Sequence, residues 1–96
     1  MDSQIRISDL ENIISEKVFI KIENWNLYLG DAGLARNLAI ECISNKDQGP
    51  LQAAKNSLNS IKVKVGEGVN SIPLIDLITV SQISELEEIL EDFFDN

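Results

Sequence analysis

Trp25, Tyr28 and Asp31 are the residues whose types and spacing best suit this chain for binding another molecule. They lie three residues apart, so a helix would bring them onto adjacent turns of one face. Two aromatic anchors beside a carboxylate are suited to contact a ligand or a partner protein. The same residues could instead close the edge of the core, with Asp31 capping the helix that contains Leu34. We keep the trio as a candidate interaction site.

A row of carboxylates near the end of the chain is the second candidate. Glu85, Glu88 and Asp92 are spaced i, i+3 and i+7, which places them along one side of a helix. A hard cation such as Ca²⁺ prefers several oxygens supplied by a tight loop, and the sequence has no Asp-x-Asp-x-Asp-Gly loop. We therefore predict a solvated helix face, or a docking face for a basic partner, and no metal site.

Groups that could carry catalysis are scarce. The chain has no histidine, which removes the commonest general base and the histidine-activated nucleophiles. Cys42 stands on an apolar helical stripe beside Leu38 and Ala39, so we expect it to be a buried small hydrophobe. The Gly66-Glu67-Gly68 segment lacks the third glycine and the following helix of a dinucleotide-binding loop. We predict no catalytic residue and no cofactor.

The charge is segregated along the chain. Residues 1–64 hold all eight basic residues and eight acids, whereas residues 65–96 hold eight acids and no base, so the last third carries the whole net charge of −8. An acidic chain repels nucleic acid and anionic lipid, and a basic protein surface is the partner that it favours. Basic residues that could compensate the acidic helix from elsewhere in the fold are Arg36, Lys55, Lys62 and Lys64.

The length of the chain and its terminal residues limit the number of domains and the targeting signals that we expect. We expect residues 1–96 to form one domain, with residues 1–4 and 94–96 frayed. A lone cysteine fits a reducing compartment, and Met1-Asp2-Ser3 does not begin a secretory signal. No apolar run approaches the roughly 20 residues that span a bilayer. These features predict a cytoplasmic protein.

The first half of the chain favours helices separated by a short strand. Ser8 to Glu11 forms a capping box, which predicts a helix over about residues 9–17. Residues 18–22 are largely β-branched and favour a strand, although an i, i+3/i+4 apolar rhythm would also allow one helix to continue through them. The next apolar stripe predicts a helix that ends near Ser44. Its start is Asn24 if the helix tolerates Gly30 and Gly33 in its interior, and Asp31 if it does not continue through Gly30.

The second half favours a hairpin and a final helix. Pro50 suits the first position of a third helix, and residues 61–65 alternate as a half-buried strand does. Glycines follow, so residues 69–75 can return as the partner strand, with Pro73 at an edge. Ser81 or Ser84 would cap the last helix. The predicted class is α+β, with three to four helices packed on a two- to three-stranded sheet that contains a β-hairpin at about 61–75; residues 18–22 would supply the third strand.

Three segments carry a resemblance to a known family. Residues Trp25–Ala32, Pro73–Ile78 and Ser84–Phe93 resemble those of a family of short cyanobacterial proteins known only as a domain of unknown function. The similarity extends from about Leu10 to Phe93. It implies a cytoplasmic protein of a photosynthetic bacterium and carries over no catalytic residue.

The preferred function that follows is a small non-catalytic interaction or assembly protein, not an enzyme, whose acidic C-terminal helix docks on a basic partner. A homodimer is a second expectation, formed through the hairpin edge or the end marked by Phe93 and Phe94, since an unprotected strand edge invites pairing. The alternative is a small-ligand-binding or enzymatic domain with a pocket near Trp25, Tyr28 and Asp31.

Overall fold

The computed structural model describes residues 2–22, 25–65 and 70–95, and for residues 2–5, 22, 25 and 65 it describes the backbone alone. Within these ranges two pairs of consecutive strands interrupt a series of helices. In chain order the elements are α1 (Asp2–Lys17), β1 (Phe19–Ile22), β2 (Trp25–Tyr28), α2 (Leu29–Ala32), α3 (Ala35–Ser44), a 3₁₀ turn (Lys46–Gln48), α4 (Pro50–Ser60), β3 (Lys62–Val65), β4 (Asn70–Pro73), a second 3₁₀ turn (Leu74–Asp76) and α5 (Val80–Phe94). The α+β class is confirmed.

The strands form two separate antiparallel hairpins. β1 pairs with β2 from Phe19↔Tyr28 to Ile22↔Trp25, and β3 pairs with β4 from Lys62↔Pro73 to Val65↔Asn70. The hairpin at about 61–75 is therefore confirmed, while its Gly66–Gly68 turn lies outside the described residues. Residues 18–22 do not join that hairpin as a third strand. Only two residues separate β1 from β2, so pairing them closes a much shorter loop.

The segment 18–22 is a strand, and the alternative of a continuous helix is wrong. α1 makes its last helical hydrogen bond from Val18 N to Ile14 O, at 3.0 Å. The helix begins at Asp2 rather than near residue 9, so Ser8 lies inside it and the capping box does not form. Ile7 explains the extension, because it packs against the core one turn before Leu10.

The helix expected to start at Asn24 or Asp31 starts at Ala35 instead. Trp25 to Tyr28 pair as a strand, and α2 then forms a single helical turn that Gly33 ends. Gly33 adopts a left-handed φ of 74°, which a residue with a Cβ adopts only at a cost. Of the two predicted starts, Asn24 lies outside the described residues and Asp31 falls in the separate short helix α2.

The last helix begins earlier than predicted. Its N-cap is Thr79, whose hydroxyl accepts a hydrogen bond from Gln82 N at 3.3 Å, and not Ser81 or Ser84. Gln82 is buried, and its Oε1 accepts a 3.0 Å bond from Phe19 N, which ties α5 to strand β1. Pro50 opens α4 as predicted.

The buried side chains come mainly from the helices. α1 packs on α3, and α4 lies against both α3 and α5. The largest fully buried apolar side chains are Leu10, Ile14, Val18, Leu29, Leu38, Cys42, Leu58, Leu74, Leu86 and Leu90. Both hairpins lie at the margin of this core, since Ile20 and Ile61 are buried while Leu27 and Val63 are only half-buried.

Candidate functional site

The trio Trp25, Tyr28 and Asp31 is not arranged on one helical face. Trp25 and Tyr28 stand at opposite ends of strand β2, and Asp31 is exposed on α2. The Tyr28 ring meets Phe19 edge-on, with the ring centroids 5.3 Å apart. The expected helix is wrong here because pairing with β1 converts the segment to a strand. An interaction site at these residues stays a prediction.

The same segment contributes to a groove between the two hairpins. We call it the inter-hairpin groove and give it a volume of about 460 Å³. Its described lining consists of Ile20, Lys21, Leu27, Ala32, Leu34, Val63, Lys64 and Leu77. The alternation of residues 61–65 predicted the strand that forms one wall of this groove. Nothing local in the sequence indicated that the two hairpins face each other.

The outer side of α5 forms the acidic face, which we define as Glu85, Glu88, Glu91, Asp92 and Asp95. All five are exposed except Glu85, which is half-buried. Leu86 and Leu90 on the inner side are fully buried. The three carboxylates predicted from the sequence are thus brought together along one helix. Glu91 and Asp95 continue the face toward the C-terminal end, where negative charge opposes the helix dipole.

The basic group that contacts α5 in the described residues is not one of those expected. Arg36 bonds to Glu11 at 3.1 Å, and Glu85, Glu88 and Glu91 of α5 form no ion pair with Arg36, Lys55, Lys62 or Lys64 in the ranges that the structure describes. Arg6 approaches α5 instead: it donates to Phe93 O at 3.3 Å, and its guanidinium lies 4.5 Å from the centre of the Phe93 ring. Such a contact offsets the dipole at the helix end.

Lys17 is the second base at this end, and it lines a cleft of about 190 Å³ together with Asp92 and Phe93. Both bases belong to α1. Positive charge from α1 therefore lies near the negatively charged last turns of α5. Glu88 and Glu91, in contrast, are exposed and form no ion pair with a described residue. Sequence spacing could not reveal this, since Arg6 and Phe93 are 87 positions apart.

Cys42 is fully buried, as predicted. Burial away from water raises the pKa of its thiol to about 12, although the hydrogen bond from Ser57 acts in the opposite direction. Deprotonation is the step that makes a cysteine nucleophilic, so this thiol is inert at neutral pH. Among the described residues, no three metal-ligating side chains cluster.

Native Cys42 is therefore expected to react with iodoacetamide far more slowly than the unfolded chain does at pH 8. The physical reason is twofold: the sulfur is inaccessible, and its pKa of about 12 leaves little thiolate. Intact-mass measurement with and without 6 M guanidinium chloride checks this. Equal labelling rates in the two conditions would contradict the burial of Cys42.

The chain matches a known family over residues 7–93, described as "Protein of unknown function (DUF3181)". The chain belongs to this family. The match covers α3, α4, both hairpins and nearly all of α5, and it includes every buried apolar residue of the described core. The expected resemblance to uncharacterised cyanobacterial proteins is confirmed.

A curated relative of this DUF3181 chain is a thylakoid-associated protein of Synechocystis. The two are 28% identical over 82 residues, covering 83% of this chain and 81% of the relative. No solved structure matches the chain significantly. Within the described residues, no helix has the length and apolar character needed to cross a membrane.

Proposed function

We propose that the protein is a small non-catalytic interaction protein that uses the acidic face of α5 to bind a protein partner with a basic surface. The single observation that carries the proposal is the exposure of this face on a helix with no base of its own. Complementary charge across an interface steers association and selects partners. A basic protein is the occupant that removes the repulsion among these carboxylates.

The two sides of α5 have different roles: the inner side packs in the core, and the outer side is available for binding. Leu86 and Leu90 are fully buried and hold the helix in the core. Binding of a partner at the outer side therefore does not disturb the packing that stabilises the fold. Glu91 and Asp95 are unfavourable in the last turns of a helix, by a few tenths of a kcal/mol each. Acids kept at an unfavourable position are consistent with a binding role.

The thylakoid association of the relative indicates where we propose that the partner resides. The Synechocystis relative is described as thylakoid-associated. The net charge of −8 disfavours direct attachment to anionic lipid. We therefore propose that this protein reaches the cytoplasmic side of the thylakoid membrane through a membrane-bound protein with a basic surface, rather than through lipid.

Homodimerisation remains a separate proposal. Each described hairpin has two strands, so each strand has one edge that pairs with no other described strand. The Phe93 end is a weaker candidate, because Arg6 already covers the Phe93 ring. Sedimentation equilibrium of the wild-type chain tests the dimer, and a monomer mass at every concentration would refute it.

The test compares two variants of equal charge. In the first, Glu85, Glu88 and Glu91 become glutamine; in the second, Asp9, Asp47 and Asp76, which are exposed elsewhere, become asparagine. Each variant removes three negative charges. Affinity for the partner retrieved from thylakoid membranes is expected to fall about ten-fold in the first variant, since exposed charge pairs contribute about 0.2–1 kcal/mol each.

Salt supplies a second readout. Binding of the wild-type chain should be lost near 1 M NaCl, where the screening length falls to about 3 Å. Surface plasmon resonance with the purified partner measures both effects. Equal weakening in the two variants would mean that net charge acts without the acidic face, and an unchanged affinity in the first variant would refute the docking role of α5.

A further inference from the structure

The inter-hairpin groove is bordered by strand edges as well as by apolar side chains. Ile20 and Lys21 are consecutive in β1, Val63 and Lys64 are consecutive in β3, and all four line the groove. Consecutive side chains of a strand point to opposite faces, so one member of each pair reaches the groove through its backbone. Ile20 is buried and Val63 is half-buried, whereas both lysines are exposed. The lysines therefore border the groove with their backbone, and their side chains lie on the other face of each strand.

The backbone groups of Lys21 point away from strand β2. Leu29 N donates to Val18 O at 2.9 Å at the open end of this hairpin, so these two residues form a hydrogen-bonded pair of the antiparallel ladder. Such pairs alternate with pairs whose N–H and C=O groups point outward, which makes Phe19 and Lys21 outward residues. Phe19 shows the same direction, because its N–H bonds to Gln82 of α5 and not to β2. The outer edge of β1 is thus covered at Phe19 and open at Lys21.

Strand β3 has a longer open edge. Leu74 N donates to Ile61 O at 2.7 Å, which fixes the alternation in the second hairpin. Lys62 and Lys64 are therefore outward residues, with their N–H and C=O groups turned away from β4. Neither residue pairs with a further described strand or makes another backbone hydrogen bond within the described ranges. An additional strand could bond to both of them.

The faces of the two hairpins that point away from the groove are basic. They carry Lys21, Lys62 and Lys64, all exposed, and no acid is among their described residues. Lysine at a sheet edge repels a strand that places a base opposite it, and a second copy of β3 is such a strand. An acid opposite each lysine is favourable instead. The edge of β3 therefore selects a strand with acids on one face and apolar residues on the face toward the groove.

We propose that the inter-hairpin groove binds an extended segment of another protein, in which apolar and acidic residues alternate, as a strand added to the edge of β3. The segment pairs antiparallel to β3, the slightly more stable arrangement. Its apolar side chains lie on Leu27, Val63 and Leu77, and its acids stand opposite Lys62 and Lys64. In strand addition the backbone bonds provide affinity and the alternate side chains provide specificity. This site is separate from the acidic face of α5, so either proposal can fail alone.

The pattern of the segment is the first test. A capped, fluorescein-labelled hexapeptide that alternates valine and glutamate is titrated with the full chain, and fluorescence anisotropy gives its affinity. Two unlabelled peptides compete with it: one has the three valines before the three glutamates, and one has lysine in place of glutamate. Each should compete about ten-fold less well than the unlabelled alternating peptide, because neither matches both faces of the added strand. Equal competition by either peptide would overturn the proposal.

Two variants at one position test the strand edge. Lys64→Pro and Lys64→Thr both remove the charge, but only proline removes the outward N–H, which the β3–β4 ladder does not use. The proline variant should bind the labelled peptide about ten-fold more weakly than the threonine variant, the effect of one lost hydrogen bond with its partner left unpaired. Circular dichroism checks that both variants are folded. Equal affinities would overturn the assignment to the edge of β3.

A change in the peptide alone tests the same bonds with the wild-type chain. In antiparallel pairing the glutamates lie opposite Lys62 and Lys64, and the glutamate N–H groups donate to β3. A peptide methylated at its three glutamate nitrogens should therefore compete at least about ten-fold less well than the unmethylated one. Unchanged competition would overturn the proposal, whether or not Lys64→Pro folds.

A second copy of the chain is the other possible occupant, and sedimentation of the same samples distinguishes it. A dimer that Lys64→Pro dissociates, combined with no binding of the peptide, would assign the edge of β3 to self-association and overturn the proposal. A chain that binds none of the peptides would also overturn it. A monomer that binds the alternating peptide and prefers it to both competitors supports it.

Discussion

A Leu86→Ala variant is expected to be about 2–5 kcal/mol less stable than the wild-type chain. Leu86 is fully buried on the inner side of α5, which packs against α4 and α1. Truncation removes buried methyl groups and leaves a cavity that helices on either side cannot readily close. Domains of this size are stable by about 5–15 kcal/mol in total, so the loss is a large part of the whole.

Urea unfolding followed by circular dichroism measures the effect, with Leu51→Ala as the matched control. Leu51 is the same residue type on a neighbouring helix, but 41% of it is exposed. The control should unfold near the wild-type midpoint, and all three chains should share one m-value. Midpoints that coincide for Leu86→Ala and Leu51→Ala would mean that the inner side of α5 is not packed as described.

Helices whose signals are local could be predicted from the sequence. α5 has apolar residues at helical spacing throughout, and its inner and outer sides follow from that spacing alone. Pro50 marks the start of α4, and alternation over residues 61–65 marks a strand. In each case one element contains all the information, so the prediction needed no knowledge of what packs beside it.

The segment 25–32 shows why the rest could not be predicted. Spacing of three residues between Trp25, Tyr28 and Asp31 fits a helix, and a single sequence offers no sign that residues 25–28 pair with 19–22. The ladder of backbone hydrogen bonds decides the outcome, and it depends on the neighbouring strand. Strand preference is a property of the pair rather than of either segment.

The candidate sites also differ in whether their residues come from one element or from distant segments. The acidic face belongs to one helix, so spacing revealed Glu85, Glu88 and Asp92. The inter-hairpin groove joins residues 20–34 with residues 63–77, and Arg6 meets Phe93 across nearly the whole chain. Contacts between distant segments exist only once the fold has formed, and no periodicity in the sequence indicates them.

A Gly30→Ala variant is expected to be destabilised by about 1–3 kcal/mol, in the opposite direction to the usual effect of this substitution in a helix. Alanine normally stabilises a helical position by about 1 kcal/mol relative to glycine. At Gly30, however, an added Cβ would lie 2.7 Å from Ser15 Cβ and 3.1 Å from Ser15 O. Part of this obstacle is backbone, so α2 must move away from α1 to accept the methyl group.

A double-mutant cycle with Ser15→Gly isolates that contact. Removing the Ser15 Cβ costs helix propensity in α1 by about 1 kcal/mol, and it also removes the Ser15 hydroxyl, which donates to Glu11 O at 2.7 Å. The same change clears the nearest atom from the path of the methyl group introduced by Gly30→Ala, so the double variant should be more stable than the sum of the single effects. Urea midpoints of the four chains give the coupling. A Gly30→Ala midpoint above that of the wild type, or additive effects in the cycle, would show that α1 and α2 are not in close contact at this glycine.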